Sequence, residues 1–543
     1  MHILGVTHPI SWNPAACLLA DGVLIAFAEE ERFIRLKHAP HVYPAEAIRF
    51  CLEKAGLSVD HIDITAVGFE QPTAQHARNA NAESYVAGAV SDSAWFDFHT
   101  GLAHIYGDTQ LKSYGQRLYV DHHLCHAASA AIPSGFARTN LISLDGWGGK
   151  ASGWLGLFDR SGGLETLRLV EPRYSWGATY ELITDYLGFR CHSGEGKTMG
   201  LAPYGRADGR LLPDFCEPEL GLPDVYRYEA YMRQHFTRRR DDEELNDRHR
   251  DLAATVQHYY ERSLLRIAEW LMERTGCRTF SLAGGVALNC SGNGRLARQQ
   301  FVDDLFVQPA SHDAGTALGA AILAHRQFAG AWPELSFPHA YWGPSYSSDE
   351  IKAALDFAKA PYQVCDPAKT AAEALARNEI VGWYQGATEI GPRALGNRSI
   401  LAHPGRAENL QRINQHVKRR ELWRPLAPSV LADRCHELFD VRQPTPFMLL
   451  AGQVRPHWQA RLPAIVHVDG SARPQAVCAE TNPVFYQLIW EFEQLTELPA
   501  VLNTSFNHSD EPLVNSPEHA IATFYRTGVE TLVIGNYVVR KAL

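Results

Sequence analysis

The sequence has no apolar run long enough to span a bilayer, which excludes a helical membrane protein. Its opening, "MHILGVTHPI", lacks the basic stretch and long apolar segment of a secretion signal, so a cytoplasmic location is expected. The ten cysteines form no C-x-x-C pair and keep no regular spacing. That excludes a zinc ribbon or a disulfide framework and fits reduced thiols. Positive charge is in short supply: 51 Lys and Arg against 61 Asp and Glu give a net charge of −10. A nucleic-acid backbone is therefore excluded as the main partner, although a local arginine cluster could still hold a phosphate. There is neither a Walker A loop nor a His-Glu-x-x-His zincin motif.

What is present is an ordinary globular composition, 45% apolar and 21% charged, over 543 residues, too many for one core. A quiet repeat organises the first half. Residues 2–29 read as three β-rich runs, the last two joined by the hairpin pair Asp21-Gly22. Residues 140–171 repeat the pattern, with Ser161-Gly162-Gly163 at the turn, and helical sequence follows each block. The repeat predicts a duplicated α/β domain with a cleft between its halves. A break is expected in the aromatic- and proline-rich stretch 334–349, dividing a domain of residues 1–338 from a second α/β domain of residues 346–543. The mixed-charge run 238–251 reads as a solvated face.

Three constellations carry chemistry. In "VDHHLCHAASA" (120–130), His122 and His126 lie four apart, one turn along a shared helix face. Asp145, after the strand "LISLDG", and Asp313, before a small-residue helix, could complete a His/carboxylate set suited to Fe(II), Mn(II) or Zn(II). The alternative is helix caps and surface histidines. Cys125, inside the motif, reads as a small buried thiol. Glycine loops form the second group: "DGWGGK", "SGEGKTMG" and Gly284-Gly285 place backbone N–H groups in both halves of the repeat and suggest bound ATP. The third is cationic. Arg393, Arg398, Lys418, Arg420, Arg424 and Arg473, with Ser429, Asn503, Thr504 and Ser505, fall largely in glycine- or proline-bearing turns, where arginine forks suit a phosphate.

Taken in order, "AEEERFIRLKHAP", "DHHLCHAASA", "GKTMGLAPYG", "AGGVALN", "GPRALGNRSI", "WRPLAPS" and "LNTSFN" resemble the O-carbamoyltransferases of nodulation-factor, cephamycin and aminoglycoside biosynthesis, nearly end to end. The resemblance implies an actin/sugar-kinase/Hsp70-like first domain and a YrdC-like second one. It implies ATP-dependent formation of carbamoyl-adenylate from carbamoyl phosphate, then transfer of the carbamoyl group to a hydroxyl of a small specialised metabolite or saccharide. Antibiotic biosynthesis is one such setting. His122, His126, Asp145 and Asp313 match metal ligands, usually of iron. Arg393, Lys418, Arg424, Arg473, Asn503 and Ser505 match the carbamoyl-phosphate and nucleotide site. Lys37, Gly177 and Lys197 match positions around the N-terminal nucleotide, with Gly284 and Gly285 as its glycine pair and Lys37 also in a catalytic role.

Two departures stand out. Where such enzymes carry His-Asp near the N-terminus, the His being the base for the acceptor, this chain has Trp12-Asn13, and neither takes a proton near neutral pH. His8 is the expected substitute. Ala387 stands where a basic residue is common. Acceptor-contacting loops are expected in residues 70–118. Two other readings are a sugar-kinase-like phosphotransferase and a non-catalytic nucleotide-binding relative. The oligomeric state stays open, a homodimer being one option.

Overall fold

The computed structural model describes residues 1–70, 115–508 and 510–541. The chain forms two compact units: Met1–Glu30 with His38–Phe337, and Glu31–Lys37 with Pro338–Leu543.

The first unit contains two five-stranded sheets of the same topology. In one, β1 (His2–Val6), β2 (Ala15–Ala20) and β3 (Val23–Glu29) form an antiparallel meander. β4 (Ile64–Val67) then pairs parallel to β1, and β5 (Gln116–Tyr119) parallel to β4. The order is β3-β2-β1-β4-β5. The other sheet uses β6 (Arg138–Gly148), β7 (Ala151–Asp159), β8 (Gly163–Val170), β9 (Thr279–Ala283) and β10 (Asp304–Val307). Its order is β8-β7-β6-β9-β10, the same pattern with the same parallel pairings. The repeat read in the sequence is thus a structural duplication, the actin/sugar-kinase/Hsp70-like class expected. At the first hairpin Asp21 and Gly22 both have positive φ (47° and 82°), as a primed two-residue turn requires.

Two small-residue helices pack into the centre of this unit. The helix Ala314–Ala329 lies against β1, β2 and β4 on one side and the helix His122–Ala131 on the other. The approach is close: a Cβ on Gly319 would lie 1.8 Å from the Cys125 carbonyl oxygen, and one on Gly5 would lie 2.1 Å from that of Ala317. Gly319→Ala must therefore push the helices apart, with an expected cost of about 3 kcal/mol. Thermal unfolding of this variant checks it; an unchanged Tm would contradict the contact.

The second unit is α/β, as expected of its YrdC-like assignment. Its strands are β11 (Tyr362–Val364), β12 (Val381–Tyr384), β13 (Arg398–Ala402), β14 (Ala427–Leu431), β15 (Phe439–Asp440), β16 (Gly452–Val454), β17 (Ser471–Ala472), β18 (Gln475–Val477), β19 (Ala500–Ser505), β20 (Thr531–Ile534) and β21 (Tyr537–Arg540). Eight make a mixed sheet, β11-β21-β20-β12-β13-β19-β14-β18, and β15-β16-β17 a small second one. Helices Pro367–Ala376 and Pro483–Thr496 pack together and on this sheet, with Trp383, Phe485, Ile489 and Phe492 in the core. The segment Glu31–Lys37 is tied in by Arg32, which donates to the Gly391 carbonyl (2.7 Å), and by Arg35, which donates to those of Pro512 (2.9 Å) and Leu513 (2.5 Å).

The loop stretch expected to contact the acceptor lies outside the described residues for 71–114. Residues 116–118 are strand β5 rather than loop, because they complete the parallel edge beside β4. The run 238–251 is not wholly a solvated face either. Arg239 is buried and donates to the carbonyls of Leu187 (2.6 Å), Arg240 (3.0 Å) and Glu243.

Candidate metal and phosphate sites

In the first unit, Asp121 caps the helix His122–Ala131 by accepting from the Leu124 N–H (2.9 Å). The helix then presents His122 and His126 on one face, only 1% and 0% exposed. These are not surface histidines. His123 turns away and donates from Nε2 to the Ala151 carbonyl (2.8 Å), fastening the helix to β7. Burial above all pushes its pKa to about 3. Cys125 is a buried thiol directed at the Val120 carbonyl, not a ligand.

Asp145 lies where the β6–β7 ladder breaks register between Leu144 and Gly148, a bulge that swings its carboxylate out of the sheet. Three glycines let the chain close around that point. A Cβ on Gly284 (φ +83°) would lie 2.2 Å from the Leu144 carbonyl oxygen, one on Gly177 2.3 Å from the Gly146 nitrogen, and one on Gly285 3.1 Å from Asp145 Oδ1. Gly177, Gly284 and Gly285, singled out as nucleotide-loop positions, thus pack around the Asp145 turn. Lys197 lies on the helix Glu195–Leu201, with its ammonium 5.3 Å from the Phe189 ring centre.

Asp313 occupies the N-cap position of the helix Ala314–Ala329 but makes no capping bond. Its Oδ2 accepts from the Trp12 backbone N–H (3.1 Å), and its Oδ1 faces the imidazoles. His126 Nε2 lies 3.1 Å from Asp145 Oδ2 and 3.7 Å from Asp313 Oδ1, while His122 Nε2 lies 3.8 Å from each of the two oxygens. The two Nε2 atoms are 3.2 Å apart, and one donor atom from each of the four residues falls within 4.8 Å of the others. Asp145 Oδ2 is buried with no hydrogen-bond donor. Two carboxylates facing two buried imidazoles, with one oxygen left unsatisfied, fit a divalent cation held by N and O donors. Burial opposes a proton on His126, but Asp145 and Asp313 outweigh it and raise the pKa to about 9.

His8 has one ring nitrogen already engaged and a weakened affinity for a proton. Its Nδ1 accepts from the Ile10 N–H (3.1 Å), its ring packs near Phe69 with centres 5.6 Å apart, and burial lowers its pKa to about 4.

In the second unit, the turn after β19 gathers the phosphate candidates. Lys418 is buried, and its Nζ donates to Ser505 Oγ (3.0 Å), the Ser505 carbonyl, the Asn507 carbonyl (3.1 Å) and Asn507 Oδ1 (2.6 Å). Burial first, then the charges of Arg420, Lys37 and Arg424, hold its pKa well below the usual lysine value. Lys37 thus belongs to this cationic group, within the second unit. Arg420 and Arg424 are likewise lowered, chiefly by burial, and Arg473 adds to the repulsion on both. Asn503 donates to Ser429 Oγ (2.9 Å), while its own Oδ1 is buried without a donor.

Arg393 lies on the loop between β12 and β13, in which Glu389 Oε1 accepts from the N–H groups of Leu395, Asn397 and Arg398. Arg398 is structural. It is fully buried, donates to the carbonyls of Gln385, Asn397 (3.0 Å) and Pro344 (3.3 Å), and lies 3.7 Å from the Tyr384 ring centre. Ala387 serves the loop through its backbone, its carbonyl accepting from Asn397 Nδ2 (2.7 Å). A residue the sequence reading missed is Asn507, at the end of a motif already in view.

A duplicated lobe with a His/carboxylate cluster, followed by an α/β domain with buried cations, defines a two-domain group-transfer enzyme. The chain belongs to the carbamoyltransferase family: residues 2–322 match its N-terminal domain and residues 372–541 its C-terminal domain. It is a carbamoyltransferase. It is 37% identical to nodulation protein NolNO of Sinorhizobium fredii over 99% of this chain and 80% of that protein. It is 39% identical to nodulation protein NolO of Bradyrhizobium diazoefficiens over 78% and 79%, and 36% identical to an uncharacterized Synechocystis protein over 99% and 97%. Among solved structures, HypF of T. kodakarensis is similar at 13% identity with a TM-score of 0.36, over 61% of this chain and 48% of that one. No helix among the described residues is long and apolar enough to cross a membrane.

Proposed function

We propose that the enzyme makes carbamoyl-adenylate from carbamoyl phosphate and ATP on its second unit, and then transfers the carbamoyl group to a hydroxyl of a small specialised metabolite or saccharide at the His/carboxylate cluster of the first. The observation that carries this reading is the grouping of Lys37, Arg420, Arg424 and Arg473, all half-buried, around the buried Lys418 of the second unit. Cations that repel one another out of water are stabilised by an anion of more than one charge, and carbamoyl phosphate is such an anion. The arginines and Lys418 would neutralise the phosphate oxygens as water cleaves carbamoyl phosphate to carbamate and inorganic phosphate, and as the carbamate oxygen then attacks the α-phosphate of ATP and pyrophosphate leaves.

In the first unit, His122, His126, Asp145 and Asp313 would hold the metal, for which iron(II) is our choice. When bound, it supplies a Lewis acid that polarises a carbonyl or anchors the adenylate. The Trp12 N–H keeps the Asp313 carboxylate turned toward the imidazoles, and His123 keeps the helix carrying them in register.

The test is to incubate iron-loaded protein with ATP and labelled carbamoyl phosphate, without acceptor. Pyrophosphate and carbamoyl-adenylate are expected. The duplicated lobe leaves a phosphotransferase as the second reading, and it predicts ADP release that does not need carbamoyl phosphate. That outcome would replace the first.

A further inference from the structure

Trp12 stands among three imidazoles. The indole lies 4.0 Å from the His192 ring at 31°, 5.9 Å from His41 and 6.4 Å from His38, centre to centre. His38 Nδ1 is 2.9 Å from Asn13 Oδ1, and burial lowers the pKa of His41. His192 differs from both. Its Nε2 lies 2.9 Å from Glu181 Oε1, and its side chain is 44% exposed. Its Nδ1 makes no hydrogen bond among the described residues. The backbone is in the left-handed region (φ 59°), held there by the His192 N–H donating to Glu195 Oε1 (2.8 Å). The Trp12 backbone N–H donates to Asp313 Oδ2 (3.1 Å). His192 therefore stands one residue away from the metal-ligand set, with a carboxylate on one nitrogen and the other open.

We propose that His192, oriented by Glu181, is the proton acceptor for the incoming hydroxyl. This rests on the carbamoyl-transfer reading above. The hydroxyl proton passes to His192 Nδ1 as the hydroxyl oxygen forms its bond to the carbamoyl carbon. The bond from that carbon to the AMP phosphate oxygen breaks, AMP leaves with the electron pair, and the imidazolium returns its proton to solvent. Glu181 matches the third member of a nucleophile–base–orienter arrangement. The other charged groups that act on the ring are Glu195 and Asp313, with His41 near by. Burial works against a proton on His192, but Glu181, Glu195 and Asp313 together raise its pKa, which favours proton uptake.

The experiment uses full-length, metal-loaded protein with ATP and carbamoyl phosphate, and takes water and added methanol as hydroxyl probes. Pyrophosphate reports the first half-reaction. Ammonia from the carbamate formed with water, and methyl carbamate formed with methanol, report transfer. His192→Gln should lower both transfer products per pyrophosphate by roughly 10²-fold or more, with pyrophosphate formation and bound metal unchanged. Glu181→Gln should move the rising limb of the pH–rate profile to lower pH, because the base must be neutral to act and loses the carboxylate that raises its pKa. The His192 ring signals in an NMR titration should move the same way. Unchanged transfer in His192→Gln, its loss in His8→Ala instead, or wild-type transfer no faster than free carbamoyl-adenylate decays would each overturn the proposal. Absence of pyrophosphate from the wild type would instead remove the reading on which it rests, and the proposal with it.

Discussion

His126→Gln is expected to reduce bound iron from about one per chain to below about 0.1 at micromolar metal, and to lower carbamoyl transfer by roughly 10³-fold. Pyrophosphate formation should stay within about twofold of wild type. His126 makes the shortest His–carboxylate approach in the cluster, 3.1 Å to Asp145 Oδ2, and is completely buried. Glutamine nearly keeps the volume but presents an amide in place of the ring nitrogen, leaving two carboxylates facing one imidazole. Metal content by elemental analysis reads the first effect directly, before any activity is measured. Cys125→Ser is the matched control, because that thiol points at the Val120 carbonyl and its loss should leave metal content unchanged. Full iron retention in His126→Gln would show that the four side chains are an ion-pair cluster and no metal centre.

How far the sequence foretold this cluster differs between its members. The i,i+4 spacing of His122 and His126 carries helical geometry in itself, so the pair was legible. Asp145 and Asp313 were legible only as aspartates beside strand and helix ends. Their convergence depends on a bulge in β6 and on an N-cap position whose side chain declines to cap, and neither leaves a mark in residue order. The duplicated meander was visible because hairpin glycines and alternating apolar residues are local signals. The placement of Lys37 was hidden, since a seven-residue segment joins the second unit through Arg32 and Arg35, contacts that span more than 350 residues. His192 escaped notice for a like reason. Its partner Glu181 lies on the preceding helix, and its neighbour Trp12 on a loop 180 residues earlier. Arg398 erred in the opposite direction, as composition cannot tell a phosphate fork from a guanidinium that donates to backbone carbonyls.

Lys418→Met should abolish the first half-reaction while sparing the metal, the mirror image of His126→Gln. Pyrophosphate formation is expected to fall by roughly 10²–10³-fold, with iron content unchanged. Methionine keeps the chain length but removes the charge, and it also removes the bonds from Nζ to Ser505 and Asn507 that shape the turn after β19. The wild-type pH dependence separates charge from shape. Burial, and then Arg420, Lys37 and Arg424, hold the Lys418 pKa well below its usual value, so the free enzyme loses that proton as pH rises through the lowered pKa. A bound phosphate dianion favours the charged form, so binding takes up a proton above that point. KM for carbamoyl phosphate should therefore climb with pH in the wild type and lose that dependence in Lys418→Met. A variant that keeps the wild-type climb would transfer the titration to another group and reduce Lys418 to a brace for the turn.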